Sequence, residues 1–222
     1  MKNAMMILAA AMGIGASGQD GAKSALETDP SGWVDVFPDK DFKGWKRVPI
    51  DPLQSKAVWK HSSDGKLLLC DGTGGVKEVL INDEERGDGI FHVEWRWSKE
   101  QEATPNYNGG IYVRSAPDGK TWIQAQVAHG PKPPVVGDMI GMLLEDGKPK
   151  RTDLIQKGAG REAAMGEWNT YEITCKGSTI SLWVNGGVTA AWENCPFPKG
   201  RLGLQAEFAA YEFRSLKYKP LR

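Results

Sequence analysis

Asn106-Tyr107-Asn108-Gly109-Gly110-Ile111-Tyr112-Val113-Arg114 decides how this chain folds, read together with His92-Val93-Glu94-Trp95-Arg96-Trp97 before it and Trp122-Ile123-Gln124-Ala125-Gln126-Val127 after it. Side chains on an extended strand point alternately to opposite faces, so each segment divides into two sets. Val93, Trp95, Trp97, Ile111, Val113, Ile123, Ala125 and Val127 are apolar and predict a buried face. His92, Glu94, Arg96, Tyr112, Arg114, Trp122, Gln124 and Gln126 form the alternate set. Acids, bases, amides and rings on one sheet surface suit a polar-ligand cleft, whereas an ordinary solvated face would carry mostly Lys, Glu and Thr.

Working outward, short apolar or alternating runs recur between Gly, Pro and Asp, the pattern of an antiparallel all-β protein. They are read over Trp33–Phe37, Lys66–Cys70, Ile90–Trp97, Gly109–Arg114, Trp122–Val127, Thr170–Lys176, Ile180–Asn185, Val188–Trp192, Arg201–Glu207 and Tyr211–Tyr218. Asn185-Gly186 has the chemistry of a tight hairpin, since both residues tolerate positive φ. Glu78–Glu85 reads as a turn, and Ala128–Gly166 as a long loop that either walls a site or is disordered surface decoration, both readings standing equally.

A chain of 222 residues is long enough for one sandwich domain with a full core. Lys plus Arg, 28, equals Asp plus Glu, 28, so the overall field favours neither nucleic acid nor an anionic membrane. Met1–Gly18 has a charged start, an apolar run and small residues for cleavage, and predicts an export signal. The expected location is periplasmic or extracellular. Gln19–Ser31 reads as a linker, with the domain running from Gly32 to Arg222. No later run is apolar for the ~18 residues of a membrane span. Of three cysteines, Cys175 and Cys195 pair across neighbouring strands, or all three are buried small hydrophobes; both readings stand.

Several chemistries find no support. Asp71-Gly72-Thr73-Gly74-Gly75 lacks the helix and Lys-Ser of a phosphate loop, His61, His92 and His129 are too scattered for a local zinc motif, and no Gly-x-Ser-x-Gly elbow exists. The same-strand carboxylates of a standard two-carboxylate glycosidase are also absent. Glu94 remains as the acid among the central strands, with Arg96 and Arg114 to pair with it or polarise a ligand oxygen and His129 at the rim. A structural Glu–Arg pair and a catalytic one are equally open at this point.

The landmarks Phe42-Lys43-Gly44-Trp45, Val93-Glu94-Trp95-Arg96, Asn108–Arg114, Gln124–Val127, Gly166-Glu167-Trp168-Asn169-Thr170, Val184-Asn185-Gly186, Gly203-Leu204-Gln205 and Phe213-Arg214-Ser215-Leu216 occur together in order. In this the chain resembles the 3-keto-disaccharide hydrolase domain family from Trp33 onward. The resemblance implies a concanavalin A-like jelly-roll β-sandwich and an exported enzyme cleaving 3-keto-glycosides. It departs in three places. Gly109 stands where the family carries Ser, Gln124 where a glutamate is usual, and His129 near an expected aspartate.

On this reading Glu94 or His129 is the base and Arg114, alone or with a bound divalent cation, the electrophile. Asn108, Tyr112, Trp122, Gln124, Gln126 and Arg96 hold the sugar, and no other cofactor is expected. The competing classes are a non-catalytic carbohydrate-binding module, favoured by Gln124, and a surface interaction domain without a sugar ligand. Alternation predicts that Glu94, Arg114 and Gln126 share one cleft.

Overall fold

The computed structural model describes residues 21–56, 58–98, 107–155 and 160–221. The export signal over Met1–Gly18, residues Gln19 and Asp20 of the linker, and Asn106 lie outside the described residues. The strands are β1 Val34–Asp35, β2 Trp45–Pro49, β3 Trp59–His61, β4 Leu68–Asp71, β5 Lys77–Asn82, β6 Gly89–Trp97, β7 Tyr107–Ser115 and β8 Trp122–His129. They continue as β9 Met139–Glu145, β10 Lys148–Leu154, β11 Asn169–Lys176, β12 Thr179–Val184, β13 Gly187–Trp192, β14 Arg201–Glu207 and β15 Ala210–Pro220. One sheet has the order β13-β12-β11-β6-β15-β4-β3 with β1 added against β15, and the other β10-β9-β8-β7-β14-β5-β2. This is the two-sheet antiparallel sandwich that the strand pattern predicts.

The apolar set behaves as alternation requires. Val93, Trp95 and Trp97 from β6 meet Ile111, Val113, Ile123, Ala125 and Val127 from the facing sheet in one core. Removing this apolar area from water drives the sheets together. The rings are arranged edge to face, with Trp95 centred 5.2 Å from Trp97 and 5.5 Å from Tyr171, and Trp97 5.8 Å from Tyr211. A smaller apolar cluster, Val79, Ile81, Tyr112, Trp122 and Ile140, lies on the outer face of the second sheet. The cysteines are all buried and unpaired.

Three local expectations are corrected. Glu78–Glu85 holds most of strand β5 rather than a turn, because Val79 and Ile81 face outward into the small cluster while Leu80 faces the core. Within the loop read over Ala128–Gly166, β9 and β10 pair residue for residue from Glu145↔Lys148 to Met139↔Leu154. Among the described residues β10 is an edge strand, exposed along most of its length, so the apolar alternation of a covered strand was never required of it. The segment read as a linker is docked. Ser24 caps the single turn α1, Ala25–Thr28, and the Ala25 and Leu26 N–H groups donate to the Glu172 carboxylate at 2.6 and 3.0 Å. The expected hairpin at Asn185-Gly186 is present, with φ of 41° and 101°. No helix among the described residues is long and apolar enough to cross a membrane.

Candidate functional site

The three segments that open the sequence divide between the sheets. β6 lies in the first, while β7 and β8 are paired neighbours in the second. His92, Glu94 and Arg96 therefore face outward on one side of the sandwich, and Asn108, Tyr112, Trp122, Gln124 and Gln126 on the other. The expectation that Glu94, Arg114 and Gln126 share a cleft is overturned. Alternation separates inward from outward side chains but carries no information on which of two sheets a strand joins. Arg114 departs for a second reason. The register against β14 slips between Arg201 and Gly203, and Arg114 takes φ of 54°. This bulge breaks the alternation. It buries the guanidinium, which donates to Asp88 at 2.9 Å and touches the Cys175 thiol.

The outer face of the second sheet carries a cleft of about 380 Å³ whose lining includes Asn108, Trp122, Gln124, Gln126, His129 and Glu207. Along its floor Gln124 Nε2 donates to Gln126 Oε1, Gln126 Nε2 to Asn108 Oδ1 at 2.9 Å, and Asn108 Nδ2 to Glu207 Oε2 at 2.8 Å. Gln205 Nε2 donates to the same carboxylate oxygen at 2.8 Å. An ionised carboxylate only accepts, so Glu207 fixes which end of each amide is the NH₂ and gives the relay one direction. Burial raises the Glu207 carboxyl above its ordinary range, opposed by Lys77 and Arg151. Tyr112 and Trp122 stack at 4.5 Å beside the relay.

Gly110 is needed here because a Cβ would lie 2.1 Å from Gln124 Nε2, in the space the amide occupies. Gly109 faces the other way, toward the Tyr211 ring in the core, so a hydroxyl at this position would not reach the cleft.

His129 lines the rim, and its Nδ1 is 3.0 Å from Glu162 Oε2. The carboxylate holds Nδ1 as the N–H, which in the neutral ring leaves the Nε2 lone pair available. Glu162 Oε1 accepts from Trp97 Nε1 at 2.8 Å. Its loop is pinned by Asn169 and Asn185: Ala163 N–H donates to Asn169 Oδ1 at 2.8 Å, and Asn185 Nδ2 to the Arg161 carbonyl at 2.6 Å. The Gly166–Thr170 and Val184–Gly186 landmarks thus support the partner of His129.

Sequence reasoning missed Glu207, Gln205, Arg151 and Glu162. The first two were legible, because alternation along Arg201–Glu207 turns Leu202, Leu204 and Ala206 inward and Gln205 and Glu207 outward. Arg151, on the cleft wall and bonded to Asp153, had no such pattern on its edge strand. Glu162 sits in a loop, where no periodicity marks it.

The other side holds a charge lattice. Glu94 accepts from Arg214 at 2.6 Å and Arg96 donates to Glu212 at 2.7 Å, with both guanidiniums over the Trp168 ring at 4.4 and 4.5 Å. His92 lies buried 3.1 Å from Glu172 and 3.6 Å from Glu94. His92, with Arg214, holds the Glu94 carboxyl at about 2 against the opposing effect of burial. Such a group is an ion-pair partner rather than a proton acceptor near neutral pH. Among the described residues no three His, Cys, Asp or Glu side chains gather to hold a metal ion.

The model of the 3-keto-alpha-glucoside-1,2-lyase-like domain matches residues 32–219. The chain belongs to this family. No curated protein matches it. Among solved structures, a candidate glycosyl hydrolase from Parabacteroides distasonis ATCC 8503 superposes with TM-score 0.59 at 18% identity, over 92% of this chain and 100% of that one. The carbohydrate-binding module CBM66 from Bacillus subtilis superposes with TM-score 0.55 at 13% identity, over 79% and 95%. The kappa-carrageenase from Pseudoalteromonas carrageenovora, solved with an oligotetrasaccharide of kappa-carrageenan, gives 0.54 at 11%, over 84% and 94%. At these identities the likeness establishes the jelly-roll fold, which the family assignment and the strand order share.

Two predictions follow from the geometry. Gly110→Ala forces Gln124 out of the relay, so calorimetric affinity for a bound glycoside falls at least about tenfold while thermal stability drops by only about 1–2 kcal/mol. An unchanged affinity would remove the relay from binding. Glu94, lowered from its ordinary 4.5 to about 2, contributes stability that is present above its ordinary value and lost as pH falls through about 2. The stability gap between wild type and Glu94→Gln in urea melts therefore closes as pH falls from about 5 toward 2.

Proposed function

We propose that this protein is an exported enzyme that breaks the glycosidic bond of 3-keto-glycosides by elimination, acting in the periplasm or outside the cell. The observation that carries the reading is His129 on the rim of an amide-floored cleft, with Glu162 paired to it from behind. A ketone at the third carbon acidifies the C2–H bond. His129 Nε2 takes that proton, and the electron pair moves into the C2–C3 bond as an enolate. Its collapse restores the ketone, forms the C1–C2 double bond and breaks the bond from C1 to the leaving oxygen. The leaving oxygen takes its proton from the Glu207 carboxyl, which burial raises above its ordinary range. Water addition across the new double bond would complete a net hydrolysis.

Arg151 and Lys132, both on the cleft lining, are the cations within reach of the enolate oxygen, the role that sequence reasoning gave to Arg114. Asn108, Gln124 and Gln126 bind sugar hydroxyls with the amide hydrogens and lone pairs the relay leaves free. Glu162 acts through His129, fixing the tautomer and ring orientation as the acid of a catalytic triad does.

A second reading, a carbohydrate-binding module, is favoured by Gln124, an amide where the family resemblance expects an acid. Both readings use the same cleft, and a kinetic assay separates them. His129→Ala lowers turnover of a 3-keto-glycoside by about two to four orders of magnitude with sugar affinity held within about tenfold, and Glu162→Gln lowers it by a smaller factor. Glu94→Gln leaves turnover unchanged. Wild-type protein that binds keto and parent glycosides alike and cleaves neither is a binding module.

A further inference from the structure

Beside the amide-floored cleft lies a second cavity of about 330 Å³ on the same sheet face, and the two share Trp122, Met142 and Gln205 as a common wall. The first is lined by amides and charged groups. The second is lined by Val48 on edge strand β2, Pro149 on the opposite edge strand β10, Val79 on β5 and Ile50 just past β2. Ile50 leaves 45% of its surface in water, an apolar side chain beside a cavity with nothing covering it. The turn Asp118–Lys120 walls the cavity from the other side, where a Cβ added at Gly119 would lie 3.4–3.6 Å from Val79, Ile81 and Val48. Lys120 and Asp118 are paired with each other at 3.4 Å, so this turn offers no unpaired charge to a second sugar.

Gln205 stands at the junction. Its side chain is nearly completely buried, its Nε2 is committed to Glu207, and its Oε1 has no hydrogen-bond partner. A buried acceptor without a donor is costly unless a ligand supplies one. A hydroxyl at the edge of a sugar lying in the first cavity would do so, leaving the glycosidic bond directed into the second.

We infer that the site is built for glycosides whose aglycone is flat and apolar, of the aryl class, seated between Val48, Ile50 and Trp122 while the sugar occupies the amide floor. This rests on the reading of the cleft as a glycoside site. It deepens that reading by specifying what stands on the far side of the bond. A second sugar would bring hydroxyls into a chamber whose walls have few groups to bond them.

The test is calorimetric binding of phenyl glucoside, methyl glucoside and a glucosyl-glucose disaccharide, all unoxidised, to the wild-type protein. Ile50→Ser and Val48→Ser variants, whose positions touch only the second cavity, are titrated in parallel. Phenyl glucoside is expected to bind about tenfold or more tighter than methyl glucoside and tighter than the disaccharide. Each variant should cut that advantage by about three- to tenfold without changing methyl glucoside affinity. Equal affinities for phenyl and methyl glucosides, tighter binding of the disaccharide, or variants that weaken both monosaccharides alike would overturn the inference. Cleavage of 3-keto methyl glucoside by the same preparations keeps the two claims apart. Cleavage without an aryl advantage defeats the aglycone pocket alone, whereas no binding and no cleavage of any glycoside defeats the cleft reading with it.

Discussion

Three core rings of the first sheet reach across the sandwich and hold the elements that carry the cleft. Tyr171 donates its hydroxyl to the Gln126 carbonyl at 2.6 Å, Tyr211 donates to the Gln205 carbonyl, and Trp97 donates its Nε1–H to Glu162. Each ring is buried and contributes to the sheet packing, and each spends its polar tip on the backbone or side chain beneath a site residue. The hydrophobic layer and the site are thus coupled. The strands β8 and β14 cannot shift relative to the opposite sheet without stranding a buried hydroxyl, at a cost of about 1–3 kcal/mol per group. A floor fixed this way lets the amide relay keep one direction and one geometry, which is what preorganised binding and proton transfer demand.

The division of labour between the faces follows from charge. On the first sheet every named cation has a carboxylate within contact distance, and Trp168 lies against two guanidiniums, so the face is internally satisfied. The N-terminal turn closes over part of it through Glu172. On the second sheet the relay ends at a partly buried carboxylate, and Gln205 keeps an unanswered acceptor. Polar groups that complete one another stabilise a surface, whereas polar groups left incomplete under partial burial mark a place for a ligand.

Most of the fold was legible because it depends on alternation and turn chemistry, both local. Trp95 and Val113 had to face inward wherever their strands went, and Asn185-Gly186 had to turn. What local patterns could not supply was the partner of each strand. Glu94 and Gln126 have the same outward parity and lie on opposite sides of the molecule, since β6 belongs to one sheet and β8 to the other. The bulge at Arg114 reversed a side chain that parity alone would have placed in the cleft. A similar slip between Phe213 and Ser215 accompanies Arg214 onto Glu94. His129 was found because it ends the alternating strand β8. Glu162 was not, because its place depends on loop anchoring by Asn169 and Asn185.

The central claim is that ligand binds on the outer face of the second sheet rather than over the Glu94 lattice. Chemical-shift mapping with a titrated unoxidised glucoside tests it directly, with side-chain amide resonances of Asn108, Gln124, Gln126 and Gln205 and the indole resonances of Trp122 and Trp168 as reporters. The account predicts saturable shifts at the four amides and Trp122 with Trp168 unmoved. Shifts confined to Trp168 and the backbone around Glu94 and Arg96 would contradict it.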